Sequence, residues 1–233
     1  MNILLQKLTL CACVVVVSVF ADQIPLSLSS AGTIGGTSVF MADLTGIMDL
    51  TQIGSISIVD DGTTYGGADG IFSGFDLDMM FLDGDGDLAT VGDRIYATDL
   101  IFQAGTTRPT PLTSMHPNAA HRGPVFGSVD ATTIDESTAT LNSIDGIAVA
   151  DVDIADGFLT LGDGGVLSAN FDPAVMIGPS LHLVVGEVGG QQGEFLNASV
   201  YVSPTPVPEP PTLSLLFLGL GLIGTLSFRR SKQ

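Results

Sequence analysis

Residues 157–171 read GFLTLGDGGVLSANF. Two short runs, apolar at alternate positions, flank Gly162–Gly165, and Asp-Gly supplies the positive backbone dihedrals that tight reversals between strands require. The stretch is predicted to be a β-hairpin. The same pattern recurs along the chain. Asp-Gly pairs begin at Asp61, Asp69, Asp83, Asp85, Asp145, Asp156 and Asp163. Between them lie SVFMADL (38–44), SISIVD (55–60), FDLDMMFL (75–82), RIYATDLIF (94–102), GIAVADVDI (146–154), LHLVVGEV (181–188) and FLNASVYV (195–202). Short strands separated by turn signals predict an all-β body, an antiparallel β-sandwich or jelly-roll-like ectodomain. No repeat of fixed period suggests a solenoid, although the Asp-Gly punctuation keeps a β-helix in view.

The charges are segregated. Residues 22–205 carry 24 acidic side chains against Arg94, Arg108 and Arg122, a net of −21, and no lysine. Such a surface repels phosphate backbones and excludes nucleic acid as a partner. Cations are its natural counter-partners.

The two ends differ from the body. MNILLQKLTLCACVVVVSVFA has an early Lys7, an apolar stretch from Leu8 to Phe20 and small residues before a cut after Ala21, the form of a secretory signal handled by signal peptidase. Reading LCAC as a lipoprotein box on Cys13 is weaker, because four valines would follow the lipidated residue. Cys11 and Cys13 both fall in this segment, so residues 22–233 hold no cysteine and the exported body is expected to fold on its core, or with bound ions. At the other end, Thr212 to Phe228 run for 17 residues without a charge, at the lower limit of the roughly 17–25 residues that cross a bilayer as a helix. Arg229, Arg230 and Lys232 follow as a cytoplasmic stop, leaving the chain before the span outside. The expected domains are a signal helix at 1–21, an acidic body at 22–202, a Pro-rich spacer at 203–211 and a membrane segment at 212–228.

The tail VPEP (Val207 to Pro210), the apolar span and the basic terminus together resemble the PEP-CTERM sorting signal, over residues 207–233. The resemblance implies export in a Gram-negative, biofilm-forming bacterium. It also implies recognition of Pro208, Glu209 and Pro210 by an exosortase, a membrane-embedded cysteine transpeptidase-like enzyme, with the inner membrane holding the chain in transit. Physically, the prolines keep this strand extended and accessible just outside the membrane. The resemblance describes delivery, and the body resembles no characterised family.

Within the body the densest chemistry is FLDGDGDLATVGDR (81–94). Asp83, Asp85 and Asp87 alternate with glycine as in the opening of a calcium loop. Leu88 stands where an EF-hand needs glycine and Arg94 where it needs a bidentate glutamate, so an EF-hand is rejected. Two readings remain: an irregular Ca2+-binding turn with Asp93 as fourth ligand, or a solvated hairpin tip. Asp76 with Asp78, and Asp151 with Asp153, share strand faces and read as the wet side of a sheet before a second ion site. His116 and His121 in HPNAAHR, with His182 in an apolar strand and no cysteine, do not make a zinc set. Residues 103–129, with four prolines, read as a long surface loop crossing between sheets. The Asn197-Ala198-Ser199 triplet lies in a strand-like run and reads as a chance glycosylation motif.

Catalytic signatures are lacking: there is no nucleophile elbow, no cysteine after residue 13 and no phosphate-cradling loop before a lysine. Without tryptophan and with three tyrosines, sugar-stacking platforms are scarce. The leading expectation is a non-catalytic surface or matrix protein, not an enzyme, whose acidity lets divalent cations bridge it to itself or to anionic exopolysaccharide. The alternatives are a polysaccharide-binding or adhesin module, and a polysaccharide hydrolase.

Overall fold

The structure, a computed structural model, describes residues 23–62, 70–109, 123–146, 157–188 and 198–208. The expected signal helix and membrane helix fall outside them, as do residues 147–154 of GIAVADVDI with Asp151 and Asp153, His116, His121 and Asn197. Among the described residues every regular element is a strand. In chain order these are β1 (Ile24–Leu26), β2 (Ser29–Ile34), β3 (Thr37–Asp43), β4 (Gln52–Asp60), β5 (Asp76–Asp83), β6 (Asp99–Gln103), β7 (Leu159–Thr160), β8 (Val166–Met176), β9 (His182–Val188) and β10 (Ala198–Ser203).

Two antiparallel sheets result, ordered β1-β10-β4-β8-β6 and β2-β3-β9-β5-β7. Strands of the first half pair with counterparts from the second: β1 with β10, β3 with β9, β4 with β8 and β5 with β7. The chain is thus wound as one long folded-back hairpin, in the jelly-roll-like order, with β2 and β6 added at two edges. Ile56, Ile58, Leu167, Ala169, Val200 and Val202 from the first sheet share one apolar cluster with Ala42, Leu77, Met80, Leu82, Leu183 and Val185 from the second.

The second sheet is covered on its other face too. Val39, Met79, Phe81 and Val184 form a separate buried cluster there, against Leu88 and Ile144 from the connecting segments. This explains why FDLDMMFL is apolar nearly throughout: a strand buried on both faces loses the alternation of a half-wet one. It also corrects the reading of Asp76 and Asp78 as a wet face. The register of β5 shifts between Leu77 and Met79, and Asp78 is completely buried. Its carboxylate accepts from the Thr37 hydroxyl and from the Gly146 and Asp145 amides at 2.8 and 3.3 Å. Asp76 is half-buried and accepts from the Thr160 hydroxyl at 2.6 Å.

The stretch 157–171 is not a hairpin. Leu159–Thr160 pairs with β5 in one sheet and Val166–Met176 with β4 and β6 in the other. Gly162–Gly165 does form a tight reversal, closed by Gly165 N–H to Gly162 O at 2.9 Å, with positive φ at Gly162 and Gly164. The reversal is a corner between sheets. Asp60, buried at the end of β4, fixes it by accepting from the Gly164 amide at 2.9 Å and from Gly62 and Phe75 at 2.8 and 2.9 Å. Burial outweighs these three donors and holds the Asp60 carboxyl above its ordinary value.

Residues 103–129, expected to be a surface loop, contribute Val125 and Phe126 to the interior. Phe126 packs on Phe72 and Phe158 with ring centroids 5.3 and 4.5 Å apart.

Candidate functional site

The turn after β5 is built by its own aspartates. Asp83 Oδ1 accepts from the Gly86 and Asp85 amides at 2.6 and 3.3 Å, Asp85 Oδ1 from Asp87 at 2.8 Å, and Asp87 Oδ1 from Ala89 at 3.0 Å. Short acidic side chains bonding the backbone two or three residues on are what fold such a turn without a helix or ladder. Gly86 takes φ 75°, and a Cβ there would lie 2.9 Å from His182 Cε1, so the turn is pressed against β9.

The chain then returns through an Ile95–Leu82 bridge, which brings Asp93 over Gly84; a Cβ on Gly84 would come to 3.0 Å from Asp93 Oδ2. Asp83, Asp85 and Asp93 thereby each present a carboxylate oxygen within 4.8 Å of the others. Of the four expected ligands, Asp87 is not in this group; it is exposed and caps Ala89.

Two oxygens in the cluster, Asp83 Oδ2 and Asp93 Oδ1, are buried and accept no hydrogen bond. Leaving such an acceptor dry and unmet costs about 1–3 kcal/mol when neutral and more when charged. Burial first, then the charges of Asp93 and Asp85, hold the Asp83 carboxyl above its ordinary value despite its two amide donors. Arg94, next in the chain after Asp93, does not supply the missing donor. Arg94 Nη2 donates to Leu88 O at 2.7 Å, and its Cζ lies 4.5 Å from the Phe81 ring centroid. An all-carboxylate set of converging oxygens is the donor chemistry of a hard divalent cation. His182 stands beside the turn with Nδ1 2.8 Å from Ser180 O.

A second region lies where the body ends. After β10 the chain crosses the outer face of the first sheet. Gln52 Nε2 donates to Pro204 O at 3.1 Å and Ser55 Oγ to Thr205 O at 2.8 Å. Asn170, on β8, holds Val207 through both halves of its amide: Nδ2 to Val207 O at 3.0 Å and Oδ1 from Val207 N–H at 2.9 Å. Gly54 makes room, since a Cβ there would sit 2.5 Å from the Thr205 carbonyl carbon. Residues 204–207, expected within a stand-off spacer, are bound to the body. Pro208 is exposed just beyond them; Glu209, Pro210, Arg229, Arg230 and Lys232 lie outside the described residues.

Sequence reasoning missed this strap. The alternation of SISIVD places Ser55 on the outer face, but nothing in the sequence singles out Asn170. It also missed a cleft of about 620 Å3 between residues 96–100 and 132–142, lined by Tyr96, Asp99, Leu100, Ile134 and Glu136 among others, with no cationic side chain in its wall among the described residues.

A family profile described as the PEP-CTERM protein-sorting motif matches residues 206–231. The chain therefore carries the PEP-CTERM sorting signal, which marks an exported protein with an exosortase as its processing partner and the cell surface as its destination. No curated protein and no solved structure matches the chain.

Proposed function

We propose that this is a non-catalytic surface or extracellular-matrix protein of a Gram-negative bacterium, whose β-sandwich body is closed by a divalent cation, Ca2+ before others, at Asp83, Asp85 and Asp93. Three carboxylates converging in one turn, two of them with a buried oxygen that meets no donor, carry this reading. A cation bound there supplies the charge that the turn lacks and ties the start of the connection at Asp83 to its return at Asp93. The remaining acidity keeps the body soluble and lets further cations bridge it to another copy or to anionic exopolysaccharide. A ligand bound only by the folded state raises the melting temperature as its concentration grows. Calcium titrated into the chelated full-length protein in detergent should do so; a flat response up to millimolar calcium overturns the cation role.

The cleft favours a second reading, a binding module for neutral polysaccharide. Tyr96 is 40% exposed and is held edge-on against Phe81 at 5.9 Å, a fixed platform for a sugar face, with Asp99 and Glu136 as acceptors for hydroxyls. Glycan binding that survives chelation and is lost in Tyr96→Ala would establish it. Binding lost with calcium would favour cation bridging instead.

A further inference from the structure

The sorting match starts at residue 206, inside the strap, so the signal and the folded body share Pro206 and Val207. An enzyme that processes a peptide takes the chain extended and bonds its backbone N–H and C=O groups. In the folded body both groups of Val207 are committed to Asn170, and the Pro204 and Thr205 carbonyls to Gln52 and Ser55. Asn170 is itself buried beneath the strap, and the Gly54 surface admits the strap only because it lacks a Cβ. These partners come from β4 and β8, neighbours at the centre of the first sheet, so the strap can dock only on a body whose β4–β8 ladder has formed.

We propose that Asn170 is a positioning residue for sorting: its clamp on Val207 withholds the upstream end of the signal from the exosortase, and undocking of residues 204–207 is a step that limits processing. The inference rests on the reading that the tail is processed. Pro208 is the first residue of the signal exposed beyond the clamp.

The test follows the full-length chain by pulse-chase in a host that supplies the exosortase, comparing the wild type with Asn170→Ala and with Ser57→Ala. Ser57 bonds Ser168 at 2.8 Å on the same sheet face and holds no strap atom, so it controls for loss of stability alone. Precursor half-life should shorten about thirtyfold in Asn170→Ala, which loses both hydrogen bonds to Val207 at a factor of about five each, and should be unchanged in Ser57→Ala. Should Asn170→Ala fail to export, Ser55→Ala and Gln52→Ala, which free the Thr205 and Pro204 carbonyls, should each accelerate processing about fivefold. Hydrogen exchange on the full-length protein in detergent should show the Val207 amide protected in the wild type and open in Asn170→Ala. An unchanged or lengthened half-life, or an equal change in Ser57→Ala, overturns the clamp while leaving sorting intact. A wild-type chain that is never processed overturns both.

Discussion

Asp83 and Asp93 meet as like charges: a carboxylate oxygen of each lies within 4.8 Å of the other, and each keeps one buried oxygen that no donor reaches. Such a pair is a liability without a cation and an asset with one, so the sign of a substitution should depend on calcium. In chelator, Asp93→Asn removes a repelling charge and should melt at or above the wild type. In millimolar calcium it should melt below, because a ligand is gone. Asp87→Asn, outside the cluster, should retain the full calcium shift. Thermal melts of the three proteins with and without calcium decide this, and a response lost in Asp87→Asn but kept in Asp93→Asn would disprove the assignment.

Asp60 and Asp78 give the chelated protein an unusual pH dependence. Burial holds both carboxyls above the ordinary value of 3.8, against their hydrogen-bond donors. A group whose folded value is raised takes up its proton in the folded state first. Its contribution to stability is therefore full below the ordinary value and is lost as pH rises through the raised one. Acidification from pH 7 towards that ordinary value should raise the melting temperature, aided by relief of the net negative charge. Asp43, lowered by the Thr45 hydroxyl, and Asp130, lowered by the Thr132 amide, act in the opposite sense. Their stabilisation is lost only as pH falls further, which sets an acidic optimum. Melts between pH 7.5 and 3 should show that maximum, and Asp78→Asn should flatten the rise. A melting temperature that falls steadily from pH 7 would refute it.

The corner at Gly162–Gly165 is where local sequence and global winding part. A Cβ on Gly165 would lie 1.9 Å from Leu161 O, and one on Gly74, at φ 91°, would lie 2.6 Å from the Gly162 carbonyl carbon. Neither contact is with a flexible side chain. Gly165→Ala should therefore cost more than about 2 kcal/mol by denaturant melt. Gly178→Ala, with open space around it, should cost less than about 0.5 kcal/mol.

Strand content was legible because alternation in SISIVD and GVLSANF reports a face against a core, and these runs are the last six residues of β4 and, after Gly165, the first six of β8. Pairing was not legible. A tight Asp-Gly reversal reads the same whether the strand after it returns beside its predecessor or crosses to the other sheet, and the choice at 157–171 is made by β4 and β5, far away in sequence. β2, SSAGTI, escaped notice because it is an edge strand exposed at every position, with no buried face to impose a pattern. In the acidic turn, spacing alone suggested Asp87 as a ligand alongside Asp83 and Asp85. The structure turns Asp87 onto its own backbone, whereas the Ile95–Leu82 bridge folds Asp93 in.

Phe126 tests how far the segment after β6 belongs to the core. Its ring is fully buried between Phe72 and Phe158, and its backbone bonds Ile71 O at 2.9 Å and the Thr160 amide at 3.1 Å. A proline-rich surface loop would tolerate truncation there, but a core residue would not. Phe126→Ala should cost about 3–5 kcal/mol, whereas Val129→Ala, on a side chain 55% exposed, should stay within about 0.5 kcal/mol. Chemical denaturation of both variants is the measurement. Equal, small losses would mean that residues 123–129 lie on the body without closing it.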